Sequence, residues 1–169
     1  YPATKIYLKL ERHYVSLSKA LQERIEHWFA QGAAAVGNKE AEAAFFELRG
    51  ALESGQLRAA EPDASLPLGW RVNAWVKRGI LLGFRIGTMG PMGCADGLSF
   101  MDKHTFPARR FTVADGVRVV PGGSSVRAGA YVYKGVVVMP PAYINVGAYV
   151  DEGTMVDSHA LVGSCAQIG

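Results

Sequence analysis

Counted in sixes from Val120, the chain places a β-branched aliphatic at every step: Val126, Val132, Val138, Ile144, Val150, Val156, Val162 and Ile168. Two further columns keep the same period. One holds small side chains, Ser124, Ala130, Val136, Ala142, Ala148, Thr154, Ala160 and Ala166; the column just before it is mostly turn-forming, Gly123, Gly129, Gly135, Pro141, Gly147, Gly153, His159 and Cys165. An amphipathic helix would repeat every ~3.6 residues, so this segment is not one. The pattern predicts a short flat strand with its aliphatic inward, a corner where glycine relieves backbone strain, and a small residue packed beside that corner. Stacked ~4.8 Å apart, such units make a parallel β-helix whose faces carry ladders of like residues. A solenoid needs a capping element over its last coil. The period is still running at Gly169, which predicts a truncated coil, a fragment of a longer protein.

The first 110 residues show helical order instead. Leu17, Leu21, Ile25 and Trp28, with Ala20 and Phe29 alongside, share one face of a helix predicted from Ser16 to Ala30. A second helix is predicted from Lys39 to Ser54, capped by Asn38, striped by Ala41, Ala44, Phe45, Leu48 and Leu52, and ended by Gly55. The two are expected to pair. An extended piece around Leu57–Ala60 and a Pro- and Asp-rich loop, Glu61–Gly69, precede a third helix over 74–86, capped by Asn73 and closed by Gly87. The predicted fold class is α+β: residues 1–110 form a helical domain and linker, with some strand through Phe100–Arg118, and residues 111–169 an incomplete β-helix.

Composition narrows the function classes. At 49% hydrophobic and 20% charged residues the chain is too apolar to be disordered. The net charge of +3 is small, with sixteen basic and twelve acidic residues through residue 119 and two and three after it. Neither part is a polyanion-binding block, so no nucleic-acid partner is expected. The most apolar stretches, Ile80–Phe84 and Val136–Met139, fall far short of the roughly 20 residues of a membrane helix. No membrane partner is expected either. Two cysteines, Cys94 and Cys165, supply neither a disulfide framework nor a four-ligand zinc site, which makes the cytoplasm the expected compartment.

Hexapeptide columns of this kind resemble the left-handed β-helix of the acyltransferase superfamily, in which three hexapeptides make one triangular coil. The eight complete repeats from Val120 to Gln167 would then give about 2.7 coils. A narrower likeness follows from longer runs. Arg118-Val-Val-Pro121, Tyr143-Ile-Asn-Val-Gly-Ala-Tyr-Val-Asp-Glu-Gly-Thr-Met-Val-Asp157 and Val162-Gly-Ser-Cys-Ala-Gln-Ile-Gly169 are similar to the 2,3,4,5-tetrahydropyridine-2,6-dicarboxylate N-succinyltransferase family, as are Leu52–Glu61 and Trp75–Ile86. The resemblance covers residues 45–87 and 116–169. Residues 1–15 and the Gly-rich 87–97 segment match nothing in the family, and Ser158-His159 stands where a Thr-Trp pair is common.

The resemblance implies transfer of a succinyl group from succinyl-CoA, as co-substrate with no bound cofactor, to the amino group of a dicarboxylic acceptor. That acceptor is the ring-opened L-2-amino-6-oxopimelate form of tetrahydrodipicolinate, on the succinylase route to meso-diaminopimelate and lysine. Such chemistry needs an amine held near the thioester carbon, a group to take or orient its proton, and cations for the carboxylates. Asp157 follows the inward Val156, so strand alternation turns its carboxylate outward. By the resemblance it is the catalytic and acceptor-binding acid; a solvated acid on a coil face is the plain alternative. Arg118 is implied as the carboxylate-binding cation, suited by its planar guanidinium, against a surface strand arginine. The CoA-site residues and a second acidic residue are expected beyond Gly169, so the 169-residue chain alone is expected to be inactive.

Other candidates carry less. Lys77, Arg78 and Arg85 read as the charged face of an apolar helix. His159 could serve as a general base, but its corner position favours a solvent-facing turn residue. Asp157-Ser158-His159 is no triad, because adjacent strand residues face opposite sides. Cys165 reads as a structural residue of the turn column. Gly87–Gly93 lacks a phosphate-loop order and reads as a flexible loop. Asp102 and His104 lack a third ligand, so no metal site is expected. Outward Tyr131, Tyr133, Tyr143 and Tyr149 on flat faces, together with the resemblance, predict a homotrimer. Two rivals remain at this stage: another hexapeptide acyltransferase using an acetyl donor or an amino-sugar acceptor, and a non-catalytic β-helix assembly module.

Overall fold

The computed structural model describes residues 18–95 and 98–169. Helix α1 covers residues 18–30, and Leu21 and Ile25 on its apolar face are buried while Ala20 is exposed. Leu17 and the expected start at Ser16 lie outside the described residues. Helix α2, Lys39–Glu53, begins where Asn38 Oδ1 accepts the N–H groups of Glu40 (2.8 Å) and Ala41 (3.2 Å), satisfying two donors that have no partner within the helix. Its buried residues are Ala41, Ala44, Phe45, Leu48 and Leu52, the stripe read from the spacing. Gly55, at φ 74°, turns the chain away.

Strands β1 (Ala60–Pro62) and β2 (Trp70–Val72) form a small antiparallel pair, so the extended piece starts later than the expected Leu57. In the loop between them the Asp63 carboxyl titrates near 2, held down first by the Ser65 hydroxyl and then by Arg71. Helix α3, Ala74–Ile86, has the predicted span. Its expected cap is a correction: the Asn73 side chain accepts nothing from the helix and instead donates from Nδ2 to Arg58 O (2.8 Å) and Glu61 Oε1 (2.7 Å). It ties the helix start to β1. Glycines let α3 close on its neighbours, since a Cβ at Gly79 would collide with Leu48 and one at Gly83 with the Phe45 ring. Ile25, Leu48, Phe45, Val76 and Leu82 share this core.

The Gly87–Gly93 segment is not a flexible loop. Strand β3 (Met89–Ala95) pairs antiparallel with β4 (Leu98–Lys103), with an irregularity between Pro91 and Cys94 that accommodates Gly93 at φ 95°. The hairpin is fixed to the body at its base, where Lys103 Nζ donates to Gly87 O (2.8 Å) and Thr88 N–H donates to His104 Nδ1 (3.0 Å). Buried Thr105 donates to Gly83 O at 3.0 Å.

After a 3-10 turn, Val113–Asp115, the chain enters nine two-residue strands: β5 (Arg118–Val119), β6 (Ser125–Val126), β7 (Tyr131–Val132), β8 (Val137–Val138), β9 (Tyr143–Ile144), β10 (Tyr149–Val150), β11 (Met155–Val156), β12 (Leu161–Val162) and β13 (Gln167–Ile168). Each pairs in parallel with the strand three places on, giving the sheets β5-β8-β11, β6-β9-β12 and β7-β10-β13. The chain visits three faces in turn and returns one rung higher. In every strand but the first and last, the second residue is buried, and these residues with Ala130, Val136, Ala142 and Ala148 make the coil core. Phe111 and Val117 pack against the same core.

The first step departs from the six-residue count. Val138 pairs with Val119, not Val120, while Val126 pairs with Ile144 and Val132 with Val150. The step from Val119 to Val126 is therefore seven residues long, and the aliphatic column begins at Val119. The extra residue lies at the Gly122–Gly123 corner (φ 140° and 90°), where a Cβ at Gly122 would press on Pro140 at 2.6 Å. The turn column has a single conformational meaning. Gly123, Gly129, Gly135, Gly147 and Gly153 all have positive φ, and so do His159 (63°) and Cys165 (65°); Pro141 alone departs. Glycine is favoured there because L side chains are strained at such φ.

Helices seat on the third face, β7-β10-β13. The ring of Tyr131 stacks on Tyr149 at 4.6 Å, Arg58 lies over Tyr149 at 3.7 Å, and Arg58 Nε donates to Gln167 Oε1 at 2.9 Å. Glu53 Oε2 accepts the N–H of Gly129 at 2.8 Å, and Val146 joins the helical core. Burial chiefly raises the pKa of Tyr131 and Tyr149. Both tyrosines therefore meet this chain's own helical region and not an open outer surface.

Candidate functional site: the first face of the coil

Arg118, Val137 and Met155 are register partners on β5, β8 and β11, each at the outward position of its strand. Two residues further along, Val120, Met139 and Asp157 make a second outward column, its ladder kept by Val120 N–H to Val138 O (3.0 Å) and Met139 N–H to Val156 O (2.8 Å). The face is thus a grid of two columns and three rungs. Its charged groups, Arg118 and Asp157, stand at opposite corners; the other four positions are apolar. Two strand spacings of ~4.8 Å and a two-residue advance of ~6.6 Å separate the Cα atoms of the charged pair by about 12 Å. The chain brings them onto one surface without contact between them.

Both charged side chains are exposed. Asp157 Oδ1 accepts the Ser158 N–H at 2.7 Å, which fixes one carboxylate oxygen and leaves the other to solvent. Among the described residues the Arg118 guanidinium has no hydrogen-bond or ion-pair partner. Such an arrangement suits a ligand with an anionic end, an apolar middle and an amine end. Val137 and Met139 were missed in the sequence; the signal lay in the repeat, since Met139 is one 18-residue coil before Asp157 and Met155 one coil after Val137.

The remaining candidates lie elsewhere. His159 is exposed at the corner beyond Asp157, with its N–H on Pro141 O at 2.6 Å. It lines an open depression of about 300 Å³ with Ser125, Tyr143 and Leu161 on the second face. Cys165 packs against the helical core, where burial pushes its thiol up; Lys77, distant in sequence, acts weakly in the opposite direction. Arg78 pairs with Glu26 at 2.6 Å, and Arg85 donates to Phe29 O at 2.8 Å. Asp102 is ion-paired with Arg127, which also lies over the Phe84 and Phe106 rings. Among the described residues no group of three His, Cys, Asp or Glu side chains is placed to hold a metal. None of the described helices is long and apolar enough to cross a membrane.

Fold and face together define a helical region seated on a three-faced parallel coil of hexapeptides. Comparison with known proteins makes this specific. Residues 20–86 match the family model described as tetrahydrodipicolinate N-succinyltransferase N-terminal. The curated 2,3,4,5-tetrahydropyridine-2,6-dicarboxylate N-succinyltransferase of Xylella fastidiosa is 48% identical over 82 residues, 45% of this chain and 28% of the relative. That of Granulibacter bethesdensis is 44% identical over 97 residues, 54% and 34%; that of Afipia carboxidovorans is 43% identical over 77 residues, 42% and 26%. The resemblance read from the sequence is supported over the helical region, where the family match begins at residue 20, well before the expected 45, and ends at residue 86. The chain spans about a quarter to a third of the length of these relatives.

Proposed function

We propose that this chain is part of an enzyme that succinylates the amino group of a dicarboxylic acceptor, as the names of its relatives describe. The observation that carries the reading is the first face, where Arg118 and Asp157 stand as a cation and a carboxylate at opposite corners of an apolar surface. Arg118 takes a carboxylate of the acceptor through its planar donors. Asp157 receives the acceptor's ammonium, holds it and accepts its proton. The amine then attacks the thioester carbonyl of succinyl-CoA, a C–N bond forms and the C–S bond breaks. The departing thiolate takes the second proton of the attacking nitrogen, the first leaves Asp157 for solvent, and no covalent enzyme intermediate is needed.

The rest of the proposal follows the family. The coil is left-handed and continues into the length that the relatives have and this chain does not span; the acyl donor and a second acid belong to that part. Residues 1–110 and 111–169 act as its helical and coiled units. Helices occupy the third face, so the homotrimer packs through the others, where Met155 and Leu161 are 63% and 71% exposed. The protein works in the cytoplasm, with no resident cofactor.

Asp157→Asn in the complete protein tests the reading. The substitution keeps size and the Ser158 contact but removes the base, so turnover should fall by about 10²- to 10⁴-fold with thermal midpoint and oligomeric state unchanged. A variant that retains wild-type turnover would leave Asp157 a solvated surface acid. An assembly module would show no succinyl transfer in either form.

A further inference from the structure

The reading of Arg118 and Asp157 leaves Val137 and Met139, the apolar pair on the rung between them, unassigned. They are not the usual outside of a coil, since an exposed strand position is ordinarily polar. Val137 and Met139 flank the diagonal that joins the two charges, on the rung between them, and both are half-buried. Val138, the residue between them in sequence, points inward and is fully buried, so it contributes nothing to the surface. Any ligand that reaches from Arg118 to Asp157 must lie across Val137 and Met139.

We infer that Met139, with Val137 beside it, is a specificity-determining residue that selects acceptors by the length of their hydrocarbon spacer. A charged pair in contact would favour a compact zwitterion. A pair held two rungs apart favours an α-aminodicarboxylate whose distant carboxylate and amine are separated by methylenes. A shorter acceptor satisfies one charge and leaves the other facing apolar surface, whereas the right spacer covers Met139 and engages both ends. An unbranched thioether suits this bed, because it conforms to a flexible chain without a fixed shape of its own.

This inference rests on the proposed acyl transfer, and its test separates the two. In the complete protein, kinetics are measured with 2-aminopimelate, 2-aminoadipate and glutamate as acceptors, for wild type, Met139→Ala and Met139→Leu. Wild type should prefer the seven-carbon acceptor. Met139→Ala should raise the KM for that acceptor about tenfold, with kcat and the KM for succinyl-CoA within twofold, because a contact equal in ground and transition states is lost. The preference over 2-aminoadipate should narrow by a similar factor, and Met139→Leu should restore most of both. Acylation by wild type with an unchanged acceptor KM in Met139→Ala overturns this inference alone, as does an equal fall for all three acceptors. No acylation of any amino diacid by wild type overturns the proposed function and this inference with it.

Discussion

In the coil, each fully buried aliphatic of the middle rung lies between residues of its own kind: Val138 between Val119 and Val156, Ile144 between Val126 and Val162, Val150 between Val132 and Ile168. In the helical region no position repeats. Phe45 fits because Gly83 has no side chain, and Leu48 fits because Gly79 has none. The coil core is specified by position along one axis, the helical core by pairwise fit of large against small. Stacked layers can exchange one β-branched residue for another with little penalty, while interdigitated pairs can exchange only together. The same difference separates the site from its support. The candidate face stands on the tolerant, repetitive part, where outward residues can vary without disturbing the layers beneath.

The largest expected effect tests whether the ladder is a packed core. Ile144 is fully buried on the middle rung, and Ile144→Ala would leave a cavity walled by Val126 and Val162. The loss should be about 3 kcal/mol, whereas Ile144→Val, which restores the neighbours' own residue type, should lose about 1 kcal/mol. Urea unfolding gives both numbers. Equal losses would mean that the ladder discriminates shape as sharply as the helical core does, and the contrast would dissolve.

Gly83→Ala probes the other side of the comparison. In an exposed helix, replacing glycine by alanine gains about 1 kcal/mol. Here the new methyl meets the ring of buried Phe45, and over-packing of this kind costs about 1–3 kcal/mol. The expected net result is a loss of up to about 2 kcal/mol in unfolding free energy by urea denaturation. Pairing it with Phe45→Leu should recover part of the loss, since the two positions share one contact. A gain in stability from Gly83→Ala alone would show that Phe45 has room to move.

These contrasts explain what the sequence could disclose. The coil was legible because its period of six is set by covalent spacing: an inward Val at each strand, a corner residue, a small residue beside it. One extra residue at the Gly122–Gly123 corner shifted the column origin from Val120 to Val119, and a period alone cannot show that, because both positions are valine. Helices α2 and α3 were legible from stripe and flanking Gly or Asn. The role of Asn73 was not, since capping and tying to Glu61 use the same amide. The hairpin of β3 and β4 was hidden by three glycines and a proline, residues whose local preference argues against strand until the partner strand supplies the pairing. Asp157 and Arg118 could be nominated from sequence, but their placement at opposite corners depends on which rungs stack.

The smallest effect concerns the corners, where the repetitive region becomes residue-specific. His159 and Cys165 occupy the turn column at φ 63° and 65°, a conformation that other rungs assign to glycine. A side chain there costs about 1–2 kcal/mol, and glycine costs about 0.5–1 kcal/mol through its freedom in the unfolded chain. His159→Gly should therefore stabilise the chain by roughly 0.5–1 kcal/mol, because the imidazole is exposed and makes no described contact that glycine would lose. Cys165→Gly is a poorer test, since it also removes packing against the helical core. Ser158→Gly, one residue before the left-handed position, serves as the control and should lose stability. If His159→Gly proves neutral or destabilising, the imidazole must contribute something that offsets its backbone strain, and the depression it lines with Ser125, Tyr143 and Leu161 becomes the place to look for it.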